Sequence, residues 1–416
     1  MSGRTRASRM RIARSLSRLA VGAALLLAPT ACASAPSAEP ASGGPRPTAT
    51  AQPESPVPET PPPAEARHRQ ATELVAAAST RENVASVLMA TAPGADHDAL
   101  SAFVTEHGLG GFILMGDNVP GTPEELSVIT AGLSPDPAYP VLVAIDEEGG
   151  MVSRLPWDDL PGADTLKYEE PAATERAFAA RAALLAEAGA NVNFGIVADV
   201  ADDPSSFIYS RALGATPADS AARVSAAVRG EHGGVFSTLK HFPGHGAAPG
   251  DSHAQIPSSG LALEEWAASE AQPFRAGIEA GAELLMFGHL AFTAVDAAPA
   301  SLSAEWHRLA REDLGFTGVS VSDDLGMLLS SGIDEYRDPV RNAAAALAAG
   351  NDLLVLVAGS DEATLTATID GLTAEVEQGG IPRERLEEAA VRVAELRLEA
   401  GERTVGQPSP GPGSGR

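Results

Sequence analysis

The 416-residue sequence predicts an α/β protein, a single-domain (β/α)8 TIM-type barrel, from three observations. Eight short β-prone runs follow one another between residues 84 and 359. Most of them are separated by segments rich in alanine, glutamate and leucine, such as PAATERAFAARAALLAEAG, whose apolar spacing is helical. Charged residues end three of the runs, and the carboxyl ends of the strands are where such a barrel carries its functional groups. A doubly wound open sheet is the alternative.

The eight predicted strands set the limits of the domain. They cover VASVLMA (84–90), GGFILM (110–115), VLVAID (141–146), ANVNFGIV (190–197), VFSTLKH (235–241), AELLMFGH (282–289), GVSVSD (318–323) and DLLVLVAG (352–359). Together with the helical segments between them, they predict a barrel domain over residues 67–403.

The N-terminus has the pattern of a secretion signal over residues 1–31. Six arginines and no acidic residue precede the run LAVGAALLLA, which is too short to span a bilayer but has the length of a signal-peptide core. Cys32, the only cysteine, stands four residues after the end of this run, and this position predicts the lipidated first residue of an exported lipoprotein. Plain secretion and an uncleaved anchor are the alternatives. With one cysteine, the chain forms no internal disulfide.

Two segments outside the barrel domain are too poor in large apolar side chains to form a core. Residues 32–66, rich in proline, serine and alanine, predict a disordered linker, and residues 404–416 predict a disordered tail. The formal net charge of −26 becomes −32 when residues 1–31, with six arginines and no acid, are removed. A chain this acidic lacks the basic surface that neutralises phosphates, which argues against nucleic acid as a partner.

Three of the predicted strands end in charged residues that packing does not require. VLVAID ends in Asp146, VFSTLKH ends in Lys240 and His241, and GVSVSD ends in Asp323. Burying an unpaired charge is costly, so the mouth of the barrel is the position that suits these side chains. Any one of them alone is compatible with a solvated loop charge, but all of them together indicate a functional site.

The stretch KHFPGHGAAPGDSH (240–253) closes the fifth predicted strand and holds three histidines and an aspartate. Asp251 and His253 stand two residues apart, so in extended backbone they project to the same side, and the carboxylate can fix the imidazole tautomer. The other ring nitrogen is then available for general acid–base catalysis. A zinc site is the alternative, although the spacing matches no usual zinc pattern. His245 is predicted to be structural, satisfying loop carbonyls.

Cleavage of a glycoside usually places two carboxyl groups on either side of the scissile bond. Asp323 is the candidate nucleophile toward a sugar anomeric carbon, and the His253–Asp251 pair would take the place of the second carboxyl. A histidine acid does not compete with Asp323 for a proton, so the nucleophile stays ionised while the acid stays protonated.

These motifs resemble the bacterial β-N-acetylglucosaminidase branch of glycoside hydrolase family 3. The resemblance rests on KHFPGHG followed after four residues by DSH (240–253), on VSDDLGM (321–327) and on IDEEGG (145–150). It spans nearly the whole folded region in the same order, and the first motif is highly specific. A second α/β domain, found in many β-glucosidases of the family, is not recognisable, which fits the single-domain type.

The resemblance implies site residues by motif position. Asp323 would be the nucleophile of a retaining glycosidase, and His253, oriented by Asp251, would be its acid/base. The substrate-binding residues would be Asp146, Arg211, Lys240 and His241, with Arg211 matched through YSRALG (209–214). Met151 stands where an arginine is usual after the two glycines, a change that bears on the preference for sugar and aglycone.

The predicted function is that of an exported, lipid-anchored exo-β-N-acetylglucosaminidase acting on peptidoglycan-derived fragments of the GlcNAc–MurNAc type. We expect a monomer that binds a carbohydrate substrate, uses no cofactor or metal and contacts the membrane only through its anchor. One alternative is a β-N-acetylglucosaminide phosphorylase, since an imidazole repels an incoming phosphate less than a carboxylate does. Another is a glycosidase for a different sugar, such as glucose or xylose. A third is a non-catalytic lipoprotein that binds cell-wall sugars.

Overall fold

The computed structural model describes residues 62–406, in which eight parallel strands form one sheet. The strands are β1 Leu88–Ala90, β2 Gly111–Leu114, β3 Leu142–Ile145, β4 Val192–Val197, β5 Phe236–Phe242, β6 Leu284–Phe287, β7 Val319–Ser322 and β8 Leu354–Leu356. Neighbours in the chain are neighbours in the sheet, and β8 pairs with β1. Val321 and Leu353 form a parallel bridge, and the Ser322 amide donates to the Leu353 carbonyl at 3.0 Å, so the sheet closes on itself.

The closed sheet confirms the predicted (β/α)8 barrel and excludes the doubly wound open sheet. Each predicted β-prone run coincides with one of the eight strands, and seven of the runs contain their strand entirely, whereas β5 extends one residue beyond its run, to Phe242. The first run, 84–90, is longer than its strand because residues 84–86 belong to a helix that ends at Ser86. All strand residues are buried, as expected for parallel strands that helices cover on the outside.

α-Helices occupy about half of the described chain outside the strands. Within residues 62–406 the α-helices are α1 Pro63–Ala77, α2 Thr80–Ser86, α3 His97–His107, α4 Pro123–Gly132, α5 Ala163–Leu166, α6 Pro171–Glu187, α7 Pro217–Glu231, α8 Leu263–Ala268, α9 Ala271–Glu279, α10 Ala304–Arg308, α11 Gly326–Leu329, α12 Pro339–Ala349, α13 Glu362–Glu377 and α14 Arg383–Gly406. Two-residue strands, Ser258–Ser259 and Ala291–Phe292, pair in parallel in the loops after β5 and β6.

Three of the barrel helices begin with a capping residue followed by proline. The side chains of Thr122, Thr216 and Asp338 each accept a hydrogen bond from a backbone amide in the first turn of α4, α7 and α12. Proline fits the first helical position because its missing N–H has no partner there in any helix. Each pair of a capping residue and a proline therefore marks where a loop at the mouth of the barrel ends and the next helix begins.

The first and last helices lie together at the amino ends of the strands. Arg67 of α1 forms ion pairs with Glu399 and Glu402 of α14, at 3.0 and 2.7 Å. Arg403 of α14 binds Glu283, the residue before β6, at 2.8 Å. The first described helix starts at Pro63, four residues before the predicted domain boundary, and the last one runs three residues beyond residue 403. Throughout residues 62–406, every helix is too short or too polar to cross a membrane.

Candidate active site

A cavity of about 710 Å³ opens at the carboxyl ends of the strands. This volume is within the usual range for small-ligand sites. The cavity is lined by six of the seven residues that the sequence assigned to catalysis or substrate binding, namely Asp146, Arg211, Lys240, His241, His253 and Asp323. The seventh, Asp251, binds one of the six directly. Asp146 and Asp323, which are 177 positions apart in the chain, therefore lie at the same cavity, because the carboxyl ends of all eight strands meet at the mouth of the barrel.

Lys240 forms the floor of the cavity near the end of β5. Its side chain is buried, and its Nζ lies 2.8 Å from Asp146 Oδ1 and 2.7 Å from Glu148 Oε1. Burial acts to lower the pKa of Lys240, but the two carboxylates outweigh it and raise that pKa above its usual value. The ammonium is therefore charged at neutral pH, and the two carboxylates hold it in place.

Glu148 is a functional residue that sequence reasoning did not single out. It accepts two hydrogen bonds from Arg211, from Nε at 2.9 Å and from Nη2 at 2.7 Å, in addition to its contact with Lys240. Burial acts to raise the pKa of Glu148, but the charges of Lys240 and Arg211 outweigh it and lower the pKa to about 2. Glu148 thus fixes two of the predicted substrate-binding cations relative to each other.

Asp199 is a second residue that the sequence analysis missed. It follows β4, and its carboxylate lies 2.9 Å from His241 Nδ1 and accepts a 2.6 Å hydrogen bond from the His245 amide. Burial acts to raise the pKa of Asp199, but the charge of His241 and its hydrogen bond hold it below the usual value. An ionised Asp199 fixes the tautomer and orientation of His241, and leaves Nε2 of that ring facing Arg211 at 3.5 Å.

Asp323 comes directly after β7. Its amide donates to the Phe287 carbonyl at 3.0 Å, which continues the ladder between β6 and β7, and its Oδ1 accepts from the Asp324 amide at 2.8 Å. Burial acts to raise the pKa of Asp323, but the charges of His289 and His241 outweigh it and hold the pKa below its usual value. The carboxylate is therefore ionised at neutral pH, as a nucleophile requires.

The neighbouring Asp324 has a different task. Its carboxylate accepts hydrogen bonds from the amides of Gly326, Val357 and Ala358, at 2.9, 2.8 and 2.9 Å. It therefore anchors the chain after β7 to the chain after β8. Because both of its oxygens are engaged in this way, Asp323 is the better placed of the two adjacent carboxylates to act on a ligand.

His253 and Asp251 form a pair at the rim of the cavity, on the loop after β5. Nδ1 of His253 lies 2.8 Å from Asp251 Oδ1, and the same oxygen accepts the His253 amide at 2.9 Å. The His253 side chain is 61% exposed and that of Asp251 is 47% exposed. With Nδ1 facing the carboxylate, Nε2 is the nitrogen that can exchange a proton with a ligand.

His245, the middle histidine of the stretch, is buried below this loop. Its Nε2 lies 3.2 Å from the Ser252 hydroxyl rather than against a carbonyl oxygen, and burial lowers the pKa of its imidazole. Its role is structural, as expected, although the partner differs from the expected one. It ties the start of the loop to the residue just before His253.

Arg154 is the third functional residue that the sequence analysis missed. It lines the cavity, its Nη2 is 3.7 Å from Asp146 Oδ2, and its buried Nε has no hydrogen-bond partner among the described residues. The signal lies in the turn before it: Gly149 and Gly150 have φ values of 80° and 66°, which turn the chain back after β3. Met151, at the end of that turn, is 75% exposed at the cavity.

The zinc alternative finds no counterpart in the part of the chain that the structure describes. Between residues 62 and 406, no three His, Asp or Glu side chains are grouped so that they could hold a metal ion. His241, His245 and His253 instead have separate partners, namely Asp199, Ser252 and Asp251.

The chemistry that this mouth supports is displacement at the anomeric carbon of a sugar. An ionised carboxylate and a histidine–carboxylate pair share the cavity, and fixed cations and carboxylates are available for sugar hydroxyls. Together with the closed barrel, this arrangement places the protein in the class of glycoside hydrolases.

The chain belongs to glycosyl hydrolase family 3, since the model described as "Glycosyl hydrolase family 3 N terminal domain" matches residues 79–396. A β-hexosaminidase of Methylococcus capsulatus is 35% identical over an alignment of 274 residues that covers 63% of this chain and 79% of that protein. A solved family 3 β-N-acetylglucosaminidase from Paenibacillus sp. FPU-7 has a TM-score of 0.73 at 30% identity, covering 80% of this chain and 64% of that one. A β-N-acetylhexosaminidase structure from Beutenbergia cavernae has a TM-score of 0.68 at 26% identity, covering 77% of this chain and 98% of that one.

These relatives confirm the predicted family and the predicted enzyme class, a glycoside hydrolase of the β-N-acetylhexosaminidase type. The predicted signal segment 1–31, Cys32 and residues 407–416 of the predicted tail lie outside the described residues, as does the predicted linker up to residue 61.

Proposed function

We propose that this protein is a retaining exo-β-N-acetylglucosaminidase that acts through a covalent glycosyl-enzyme. One observation carries the proposal: Asp323, from the end of β7, and His253, from the loop after β5, line the same cavity. Asp251 orients the imidazole, and the surroundings of Asp323 keep its carboxylate ionised. The names of the relatives in family 3 support N-acetylglucosamine as the sugar.

The reaction follows from the protonation states of these groups. In the first step Asp323 attacks C1, the C1–O bond breaks, and protonated His253 gives its Nε2 proton to the leaving oxygen. In the second step neutral His253 takes a proton from water, and that water's oxygen bonds to C1 as the ester to Asp323 breaks. Two displacements at C1 return the sugar with its original β configuration.

The remaining polar groups of the cavity suit binding and orientation of the sugar. Lys240 and Arg211 are held at fixed positions by Glu148, and His241 is held by Asp199. Groups fixed in this way need not reorganise when the sugar binds, so their hydrogen bonds are available to the transition state. We assign sugar binding to these residues together with Asp146 and Arg154.

A covalent adduct tests the nucleophile. The protein is incubated with a 2-fluoro sugar that carries a good leaving group, and the adduct is located by mass spectrometry of peptides. We expect one glycosyl group on Asp323 and none in Asp323→Asn. An adduct on another carboxylate, or full activity of Asp323→Ala, contradicts the assignment.

Leaving-group dependence tests the acid. His253→Ala should lose far more activity on substrates with poor leaving groups than on activated aryl glycosides, because only the former need a proton. Equal losses on both kinds of substrate would remove His253 from this role. The same assays, run with and without phosphate, distinguish hydrolysis from phosphorolysis by the appearance of a sugar 1-phosphate. Sugar binding without any turnover would instead favour the non-catalytic alternative.

We also propose that the natural substrates are peptidoglycan-derived fragments with a terminal N-acetylglucosamine. The predicted export of the chain, and the bacterial branch that its motifs resemble, support this substrate class. Release of N-acetylglucosamine from purified muropeptides, followed by chromatography and mass spectrometry, is the test. Cleavage of chitobiose with no release from muropeptides would contradict it.

Lipid anchoring through Cys32 remains a proposal that rests on the sequence alone. Cys32→Ser should move the protein from the membrane fraction to the soluble exported fraction and leave the specific activity unchanged. A wild-type protein found only in the soluble fraction would support plain secretion instead.

A further inference from the structure

We propose that Phe207, on the loop after β4, is a positioning residue that holds the imidazole of His253 at the cavity. The two residues lie on different loops of the barrel mouth, and both line the cavity. The inference deepens the proposed function, because it rests on His253 being the acid/base.

The exposed position of His253 raises the question of what keeps it in place. Its side chain is 61% exposed, and the one hydrogen-bonded partner of its ring among the described residues, Asp251, is itself 47% exposed. A carboxylate on the same short loop fixes the ring relative to that loop, but it does not fix the loop relative to the cavity. His245 ties the loop at Ser252, but the imidazole of His253 also needs a contact of its own with another element to be held toward the cavity.

Phe207 supplies this contact. Its ring centroid is 5.7 Å from that of His253 and the two planes are inclined at 68°, an edge-to-face arrangement. Centroid separations of about 4.5–7 Å in this orientation are favourable for aromatic pairs. Phe207 is 37% exposed, so its ring lies at the surface of the mouth, at the same level as the exposed imidazole that it contacts.

Phe207 is itself held on two other sides. Its centroid is 5.4 Å from that of the buried His245, whose Nε2 contacts the Ser252 hydroxyl at 3.2 Å. The guanidinium carbon of Arg211, which Glu148 fixes, lies 5.7 Å from the centroid of the phenyl ring. The ring thus connects the fixed part of the site to the imidazole at the rim.

This placement has a specific kinetic consequence. Without the ring, His253 would keep Asp251 but would point its Nε2 toward the glycosidic oxygen for a smaller fraction of the time. Only the step that needs proton transfer would slow. The free energy of an aromatic pair interaction corresponds to a decrease of about 3- to 10-fold in the rate of that step.

The kinetic test uses Phe207→Ala and Phe207→Tyr on a series of aryl N-acetyl-β-glucosaminides with graded leaving groups. We expect Phe207→Ala to lose about 3- to 10-fold in kcat/KM on the poorest leaving group and less than about 2-fold on a dinitrophenyl leaving group. Phe207→Tyr, which keeps the ring, should restore the wild-type dependence. Leu74→Ala, on α1 and with a similar exposure of 39%, is the matched control and should leave both values unchanged. An equal loss on all substrates, or no loss, would overturn the inference.

A second test does not depend on activity. In protein with ¹³C-labelled histidine, the ring current of Phe207 shifts the Hε1 and Hδ2 signals of His253, which are assigned by their disappearance in His253→Gln. These signals should move toward random-coil positions in Phe207→Ala and stay in place in Leu74→Ala. Unmoved signals in Phe207→Ala would overturn the inference. If the wild-type protein cleaves no N-acetylglucosaminide, the proposed function fails, and the signals alone decide whether Phe207 positions His253.

Discussion

Replacing Glu148 with glutamine should lower the free energy of unfolding by about 3 kcal/mol at pH 7, and by less than half that at pH 3. Glutamine has the shape of a protonated glutamate, so the substitution removes the charge that Lys240 and Arg211 bind. Lowering the pKa of a carboxyl group from 4.5 to about 2 in the folded state corresponds to about 3 kcal/mol of stabilisation when the group is ionised.

The pH dependence follows from the direction of this shift. The folded-state pKa of Glu148 is depressed, so its contribution to stability is fully present above pH 4.5 and is lost as the pH falls through about 2. Linkage arithmetic leaves about 1.4 kcal/mol at pH 3. The difference between wild type and Glu148→Gln should therefore shrink steadily as the solution is acidified.

Urea denaturation followed by tryptophan fluorescence at pH 7, 4.5 and 3 measures this difference. Urea is preferable to guanidinium because it leaves the ionic strength unchanged. Glu73→Gln, an exposed position on α1, is the control and should stay within about 0.5 kcal/mol of wild type at each pH. A difference that is the same at pH 7 and pH 3 would show that packing, not the charge of Glu148, stabilises this part of the site.

Three further predictions concern buried groups around the barrel. Burial raises the pKa of Glu270 to about 8, so the free-energy cost of ionising its carboxyl group in the folded protein grows between pH 4.5 and 8. In differential scanning fluorimetry, Glu270→Gln should therefore match wild type in Tm at pH 5 and exceed it by at least about 3 °C at pH 9. Asp352 is buried, and nitrogens of three arginine side chains lie 2.6, 2.6 and 3.0 Å from its carboxylate oxygens. Asp352→Asn should lower the free energy of unfolding in urea by about 3–5 kcal/mol, and a decrease below about 1 kcal/mol would contradict the role of Asp352 as the shared partner of these arginines. A Cβ on Gly246 would lie 1.6 Å from the Val200 carbonyl oxygen, so Gly246→Ala should lower both Tm and kcat/KM; Gly260→Ala, where a Cβ meets open space, should change neither.

The barrel was predictable because its signals are local. Each strand is buried on both faces and reads as a short continuous apolar run, and the helices between the strands carry their own spacing and caps. The residues at the strand ends were predictable for the same reason. A charged side chain directly after a buried strand avoids the core only by lying at the mouth of the barrel. Asp146, Lys240 and Asp323 illustrate this, because each lies at the cavity as expected.

The supporting residues were not predictable because their roles depend on partners from other strands. Glu148 resembles any acidic loop residue until β5 brings Lys240 to within 2.7 Å of it. Asp199 lies shortly after its strand, as Asp323 does, but only the structure shows that it is buried and binds His241. Phe207 lies outside every motif on which the family resemblance rests, so motif comparison gave it no role.

The ion pairs between α1 and α14 also fix where the described chain begins on the barrel. Arg67 joins the last helix at the amino ends of the strands, and Ala64 lies there beside Val319, the first residue of β7. Pro63, where the first described helix begins, is therefore at the end of the barrel opposite the mouth. Whatever is joined to the protein through this helix is attached on the far face from Asp323, so the point of attachment itself leaves the entrance for glycan ends uncovered.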